Sequence, residues 1–130
     1  MEYSKIYNIG YDSVNGHNHT VEVDRSNDVV IRYNVIYDSV KGGISFGGAV
    51  GDHLDGGQAY GNLIYDINQS DDGHTGHAPG ILTSDVDNVL IYNNVVYNIG
   101  GPGWTDSAIV TTGTAGETLD GIKVKNNGRK

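Results

Sequence analysis

The 130-residue chain contains no cysteine, which excludes disulfide scaffolds, thiolate metal sites and cysteine nucleophiles. Basic residues are also scarce: 8 lysines and arginines stand against 16 aspartates and glutamates, for a formal net charge of −8. Because nucleic-acid backbones are bound by clustered lysine and arginine, and these few are scattered, we expect no nucleic-acid partner. No apolar run approaches the roughly 18 residues of a membrane span, so we expect no membrane partner.

Helix signals are missing as well. No stretch shows a sustained helical period, and 20 glycines oppose long helices. The first ten residues lack the apolar core of a signal peptide, as expected for a cytosolic protein, a mature form or an excised piece. The length predicts a single domain over residues 1–130.

What the chain does contain is a repeat. An aliphatic-Tyr-Asp/Asn tripeptide occurs four times, with its tyrosines 30, 28 and 32 residues apart: Tyr7, Tyr37, Tyr65 and Tyr97. An asparagine stands three residues before each of the last three tyrosines; these are Asn34, Asn62 and Asn94. Asn127 continues the series at a similar spacing. Ser4 takes this place in the first copy.

Each repeat predicts three short strands. Alternating β-branched runs such as Val29-Val30-Ile31-Arg32 precede the asparagine, and the Ile-Tyr strand follows it after a tight turn. A loop then leads to a third run, such as Ile44-Ser45-Phe46. Equivalent strands that recur once per coil stack into three parallel sheets. The sequence therefore predicts an all-β solenoid of about four three-strand coils, with 28–33 residues in each.

Stacking also predicts which side chains meet. The turn asparagines should fall in line and hydrogen-bond from coil to coil, and the four tyrosines should form a second ladder on an outer face. The β-branched residues of the strands should fill one narrow core. The predicted inward residues are Val29, Ile31, Ile36, Ile44, Phe46, Ile64, Ile81, Thr83, Val89, Ile91, Val96, Ile109, Thr111, Ile122 and Val124.

The segments NDVVIRYNVIYDS at 27–39 and DNVLIYNNVVYNI at 87–99 resemble the right-handed parallel β-helix superfamily typified by pectate lyases. The resemblance covers nearly the whole chain and implies a right-handed coil. It also implies a polysaccharide partner, an extracellular location and a substrate groove over the outer face of the third-run strands. That face should present Glu22, Asp24, Ser45, Gly47, Leu82, Ser84, Val110 and Thr112.

The loops after the Ile-Tyr strands carry the candidate site residues, because stacking places all four loops along one edge. These residues are His17, His19, Lys41, Asp71, Asp72, His74, His77, Trp104 and Asp106. If the following strand anchors each loop, His17 and His77 lie two coils apart, ~10 Å, with Lys41 between them. Such an edge suits acid–base chemistry, since imidazole titrates near neutral pH. The alternative is that these are ordinary solvated loops.

Resemblance to pectate lyases implies roles for these residues. A lyase base removes a proton next to a uronate carboxylate, and Lys41, His17 or His77 is the candidate base. Ca²⁺ held by Asp71 and Asp72 is the implied cofactor. Trp104 is a candidate sugar platform, or packs over its own loop. His74, Asp106 and His19 are the other candidate substrate contacts.

The predicted function is that of a carbohydrate-active module that binds or cleaves polysaccharide at this edge, lyase-like or hydrolase-like, and whether it is an enzyme stays open. Because the net charge of −8 repels polyuronates, neutral glycans remain possible ligands as well. The alternative is a noncatalytic structural or adhesive solenoid. Neither end has a recognisable cap, so the chain is either a segment of a longer solenoid or a homo-oligomer that stacks end to end.

Overall fold

The computed structural model describes residues 1–9, 19–40, 42–47, 54–67, 79–100, 107–112, 121 and 123–128. Twelve strands occur in these residues: β1 Lys5–Ile9, β2 His19–Val23, β3 Val29–Arg32, β4 Val35–Ser39, β5 Gly42–Phe46, β6 Leu54–Tyr60, β7 Leu63–Ile67, β8 Ile81–Ser84, β9 Val86–Tyr92, β10 Val95–Ile99, β11 Ile109–Thr112 and β12 Lys123–Lys125. This part of the chain contains no helix, and hence none of the length and apolarity needed to cross a bilayer.

The strands form three parallel sheets of four. The hydrogen-bonded strand order is β1-β4-β7-β10 in the first sheet, β2-β5-β8-β11 in the second and β3-β6-β9-β12 in the third. Every third strand of the chain thus returns to the same sheet, one coil further on. The fold is a right-handed parallel β-helix of about four coils: the repeat predicted the coils, and the resemblance implied their hand.

One narrow core runs along the axis between the sheets. Of the predicted inward residues, nine apolar ones are buried: Ile31, Ile36, Ile44, Phe46, Ile64, Ile81, Val89, Ile91 and Val96. Thr83 is buried too. Thr111 and Val124 occupy inward rows, opposite Thr83 and Ile91, but are exposed because no strand among the described residues lies over β11 or β12.

The second coil fills its share of the core differently. Gly57 and Ala59 stand in β6 where the strands on either side carry Val or Ile. Phe46 takes up the space: a Cβ added to Gly57 would lie 3.0 Å from its ring carbons Cδ1 and Cε1. Since interiors are close-packed, this exchange of volume keeps the coil full.

The predicted asparagine ladder holds the turns between the third and first sheets. Asn62 Oδ1 accepts bonds from the backbone N and Nδ2 of Asn34, both at 3.0 Å. Asn62 Nδ2 in turn donates to Asn94 Oδ1 at 2.9 Å and to the Ile31 carbonyl at 3.0 Å. Asn94 repeats this pattern with Asn127. These buried amides are fully paired, which removes the cost of burying them.

Candidate functional site

Most of the predicted site residues lie outside the described residues. These are Lys41, His17, His77, Trp104, His74, Asp106, Asp71 and Asp72. Their assignment to one edge of the solenoid therefore stays a prediction, as does the Ca²⁺ site. Within the described part of the chain, no group of three or more histidine and acidic side chains is placed to hold a metal ion.

His19 is the one predicted site residue that the structure describes. It opens β2 and pairs in register with Gly42. Its ring occupies the space over Gly42, where an added Cβ would collide with Nδ1. The next residue, Thr20, donates its hydroxyl to the Gly42 carbonyl at 2.8 Å. His19 is therefore half-buried, and its ring fits only because residue 42 is a glycine without a side chain.

The outer face of the second sheet differs from the open floor that the resemblance implies. Ser45 is only 3% exposed, and Gly47 is buried. Leu82 and Ser84, one coil further, are half-buried, whereas Glu22 and Asp24 in the first coil are exposed. This face is thus covered at its second coil.

The third sheet carries open surface instead. Two adjoining grooves of about 450 and 410 Å³ lie on its outer face and share Gln58 as a lining residue. We call the two together the third-sheet groove. One end is lined by Asp28, Asp55 and Asn88, and the other by Arg32 and Tyr60. Side chains alternate between the two faces of a strand, so Gln58 and Tyr60, which are two residues apart in β6, both face the groove.

Hydrogen bonds fix the acidic end of the groove. Asp55 Oδ1 accepts a bond from Asn88 Nδ2 at 2.8 Å, and the Asp55 backbone N donates to Asn27 Oδ1 at 3.1 Å. Asp28 and Asn88 have left-handed backbones, with φ of 57° and 55°. Short polar side chains tolerate this conformation, and glycines take the equivalent turn positions in the neighbouring coils.

At the other end, Arg32 is clamped between two coils. Its Nε donates to Glu2 Oε2 at 2.5 Å and its Nη1 donates to the Tyr60 hydroxyl at 2.8 Å. These bonds, Tyr60 first and Glu2 second, raise the pKa of Arg32, so the guanidinium stays charged at any working pH. Its central carbon lies 5.9 Å from the ring centroids of Tyr33 and Tyr60, within cation–π range.

Tyr60 belongs to a group that we call the tyrosine corner, made of Tyr3, Tyr33, Tyr60 and Tyr92. Tyr60 stacks on Tyr92 with centroids 4.6 Å apart and meets Tyr33 edge-on at 86°. Partial desolvation, followed by the neighbouring Tyr60, raises the pKa of Tyr92. Tyr60 thus packs against two other tyrosines, while its side chain lines the groove and its hydroxyl accepts the bond from Arg32.

The predicted tyrosine ladder lies on the first sheet, and we call it the tyrosine column: Tyr7, Tyr37, Tyr65 and Tyr97. Neighbouring centroids are 5.0, 5.0 and 5.3 Å apart, and the interplanar angles are 11°, 2° and 5°. Each inner ring is covered on both faces, so Tyr37 and Tyr65 offer edges and hydroxyls but no free ring face. Partial desolvation and the rings of Tyr37 and Tyr97 raise the pKa of Tyr65.

Sequence reasoning missed the third-sheet groove because it looked for chemistry in the loops. A signal was present: the strands before the asparagine carry polar and aromatic side chains at outward positions, namely Arg32, Gln58, Tyr60 and Tyr92. No protein-family model matches the chain, and neither a curated protein nor a solved structure matches it.

Proposed function

We propose that this protein is a polysaccharide-binding β-helix module and that the third-sheet groove is its binding surface. The observation that carries the proposal is the groove itself, which crosses neighbouring coils with amide, carboxylate, guanidinium and phenol groups in fixed positions. Sugar hydroxyls both donate and accept hydrogen bonds, so a floor that mixes donors with acceptors suits them.

The dimensions of the groove support an extended ligand. It follows β6 from Asp55 to Tyr60, and a strand of that length spans about 17 Å. Equivalent side chains recur from coil to coil at the strand spacing of about 4.8 Å. A chain of several sugar units fits such a surface better than a compact small molecule does.

Its charges favour a neutral glycan. Asp28, Asp55 and Glu2 line the groove, and the one described side-chain cation in its lining, Arg32, is already paired with Glu2. Two like charges about 4 Å apart repel by about 1 kcal/mol in water, so each carboxylate opposes a polyuronate chain. The net charge of −8 adds to this repulsion.

The test is affinity electrophoresis through gels that contain soluble β-glucan, mannan or xylan, each with its carboxymethylated derivative. We expect retardation by at least one neutral polymer and, at low salt, at least about fivefold weaker binding of its anionic form. Gln58→Ala should abolish most of the retardation. Failure of all the neutral polymers to retard the protein would refute the proposal.

A matched pair of variants locates the surface. Asp55 accepts a hydrogen bond from Asn88 Nδ2, and Asp66 on the first sheet accepts one from Asn98 Nδ2 at 2.5 Å. Asp55→Asn should change the affinity for both polymer forms, whereas Asp66→Asn should leave it unchanged. Equal effects of the two substitutions would place binding elsewhere.

Cleavage of a glycan is a separate part of the proposal and rests on the residues of the connections between first-sheet and second-sheet strands, not on the third-sheet groove. Lys41, His17 and His77 are the candidate bases, with Trp104, His74, Asp106 and His19 as sugar contacts. Asp71 and Asp72 offer the carboxylate oxygens that Ca²⁺ takes. The assay follows reducing ends on neutral glycans, and unsaturated ends on glycans that contain uronate, with and without added Ca²⁺. Lys41→Ala, His17→Ala and His77→Ala should each lower a measured rate, and unchanged rates would remove the loop edge as a site. An extracellular setting, where such polymers occur, belongs to the same proposal.

A second candidate function is end-to-end association of copies. Among the described residues, no strand lies over the outer edge of β12, and at the other end of the third sheet only Met1 and Glu2 lie over β3. Glu2 pairs with Arg32 at one end of an outward row, and Lys125 closes the other end beyond Tyr92. A copy laid on β12 would bring Glu2 opposite Lys125. Light scattering that grows with concentration and is suppressed by Lys125→Glu supports this; a concentration-independent monomer refutes it.

A further inference from the structure

The tyrosine column holds four phenol rings in one register row. The backbone pairs Tyr7 with Tyr37, Tyr37 with Tyr65 and Tyr65 with Tyr97, so the β-sheet itself sets the ring spacing. Tyr37 and Tyr65 are the most regular pair, with centroids 5.0 Å apart and planes within 2°. The two rings therefore lie parallel and side by side at the spacing of the strands.

The column is also within reach of solvent. Tyr7 is 53% exposed, and the other three rings are half-buried on the outer face of the first sheet. The sheet hydrogen bonds prevent the strands from moving apart. An oxidant can therefore reach rings whose relative position is already fixed.

We propose that the tyrosine column is a site of oxidative cross-linking, at which a haem peroxidase and hydrogen peroxide join neighbouring rungs as dityrosine. The enzyme removes one electron from each of two phenols, and each phenol gives up its hydroxyl proton. The two phenoxyl radicals form a carbon–carbon bond between their ortho positions. The two ortho protons then return to the oxygens by tautomerisation. Hydrogen peroxide takes up two electrons and two protons and leaves as two water molecules.

Such a bond would join adjacent coils covalently. Tyr37 and Tyr65 lie in β4 and β7, and a link between them closes a loop of one coil. Closing a loop lowers the conformational entropy of the unfolded chain, so the linked solenoid should resist unfolding better than the unlinked one. The chain has no cysteine with which to achieve the same constraint.

The edge contact between Tyr33 and Tyr60 in the tyrosine corner is an internal control. Tyr33 and Tyr60 have centroids 5.4 Å apart, close to the spacing in the column, but their planes meet at 86°. The two ring planes are therefore not stacked. Arg32 also donates a hydrogen bond to the Tyr60 hydroxyl, and a cationic donor makes it harder to remove an electron from that phenol.

The experiment treats the folded protein with horseradish peroxidase and limiting hydrogen peroxide. Monomer is recovered from a denaturing gel, digested and analysed by mass spectrometry for linked peptides two hydrogen atoms lighter than the sum of their parts. We expect a Tyr37–Tyr65 link with dityrosine fluorescence in the monomer band, and a Tyr33–Tyr60 link in much lower yield. Tyr65→Phe should remove the Tyr37–Tyr65 link but keep Tyr7–Tyr37.

Two results would overturn the proposal. One is dityrosine found only between molecules, in the dimer band. The other is a Tyr33–Tyr60 link as abundant as Tyr37–Tyr65, which would mean that proximity alone decides. Oxidation in urea gives the reference distribution for an unfolded chain, and a folded sample with that same distribution would also refute the proposal.

Discussion

The tyrosine column and the tyrosine corner contain four tyrosines each, yet one is regular and the other is not. All three contacts of the column are parallel stacks, whereas the corner is broken by an edge contact between Tyr33 and Tyr60. The column occupies a single register row. The corner draws on two rows. Tyr60 and Tyr92 lie in register with Arg32. Tyr3 and Tyr33 occupy the next row, directly before Ser4 and Asn34 respectively.

A glycine marks the point where the two rows of the corner cross. Gly61 has the turn position that Tyr33 has one coil earlier, with φ of 64° and 57° respectively. The Tyr33 ring lies where a Gly61 side chain would be: an added Cβ would sit 2.6 Å from two of its carbons. Regular stacking thus requires the same residue type at the same turn position in successive coils, and the corner lacks it.

Removing a tyrosine ring from the middle of the column should have the largest effect on stability. Tyr37→Ala removes one ring that stacks on both Tyr7 and Tyr65, and we expect the free energy of unfolding to fall by about 3 kcal/mol. Tyr33→Ala in the corner should cost less, about 1 kcal/mol, since Tyr33 is 45% exposed and its left-handed backbone is strained. Urea unfolding measures both.

Tyr37→Phe is the control, because it keeps the stack and loses only the hydroxyl. It should stay close to the parent protein. Equal losses for Tyr37→Ala and Tyr33→Ala would show that the regular register of the column adds nothing to its stability.

A side chain added at Gly61, where the two rows of the corner cross, should have the next largest effect on stability. Gly61→Ala forces a Cβ into the left-handed region and against the Tyr33 ring, and should cost about 2 kcal/mol. In a Tyr33→Ala background only the backbone penalty remains, so the cost should drop to about 1 kcal/mol. An unchanged cost in the double variant, measured by thermal or urea unfolding, would remove Tyr33 from the explanation.

Alkaline pH should destabilise both groups of tyrosines. The pKa of Tyr65 is raised above the ordinary 10.0, chiefly by desolvation, so ionisation of the unfolded chain comes first. Its contribution to stability is complete below pH 10 and is lost as the pH rises through the folded-state pKa. Tyr92 behaves likewise, although Arg32 lowers its pKa and offsets part of the shift. Spectrophotometric titration should show Tyr65→Phe losing a late-ionising tyrosine; an unchanged curve would contradict this.

The smallest effect should come from the ion pair beside the corner. Glu2→Gln removes the charge that meets Arg32, and since both side chains are over 40% exposed, we expect about 0.5 kcal/mol at low salt. The loss should shrink as salt is added. Glu22→Gln, the same charge change on the outer face of β2, is the control in the same thermal unfolding series.

The register of the stacked strands explains which features of the fold could be predicted from the sequence alone. The asparagine ladder, the tyrosine column and most of the inward residues follow from spacing, because one row repeats one residue type. The corner was missed because its tyrosines recur at the wrong interval for a single row. The run around Gly57 looked degenerate because nothing local shows that Phe46 fills its space.

The candidate site was less accessible to prediction. The proposed loop residues were chosen for their chemistry, and only His19 lies among the described residues, where it packs over Gly42. The third-sheet groove depends on which outward side chains from different coils become neighbours. Arg32, Tyr60 and Glu2 lie far apart in the chain, and only the parallel pairing brings them together.

The asparagine ladder has a direction, since each rung donates its backbone N–H to the side chain of the next coil. A gene duplication that copied one whole turn of the solenoid, cut at the asparagine, would reproduce every donor and acceptor of the ladder. Such a protein can be lengthened or shortened in whole turns during evolution, whereas any insertion of another length must be absorbed in the loops between the strands.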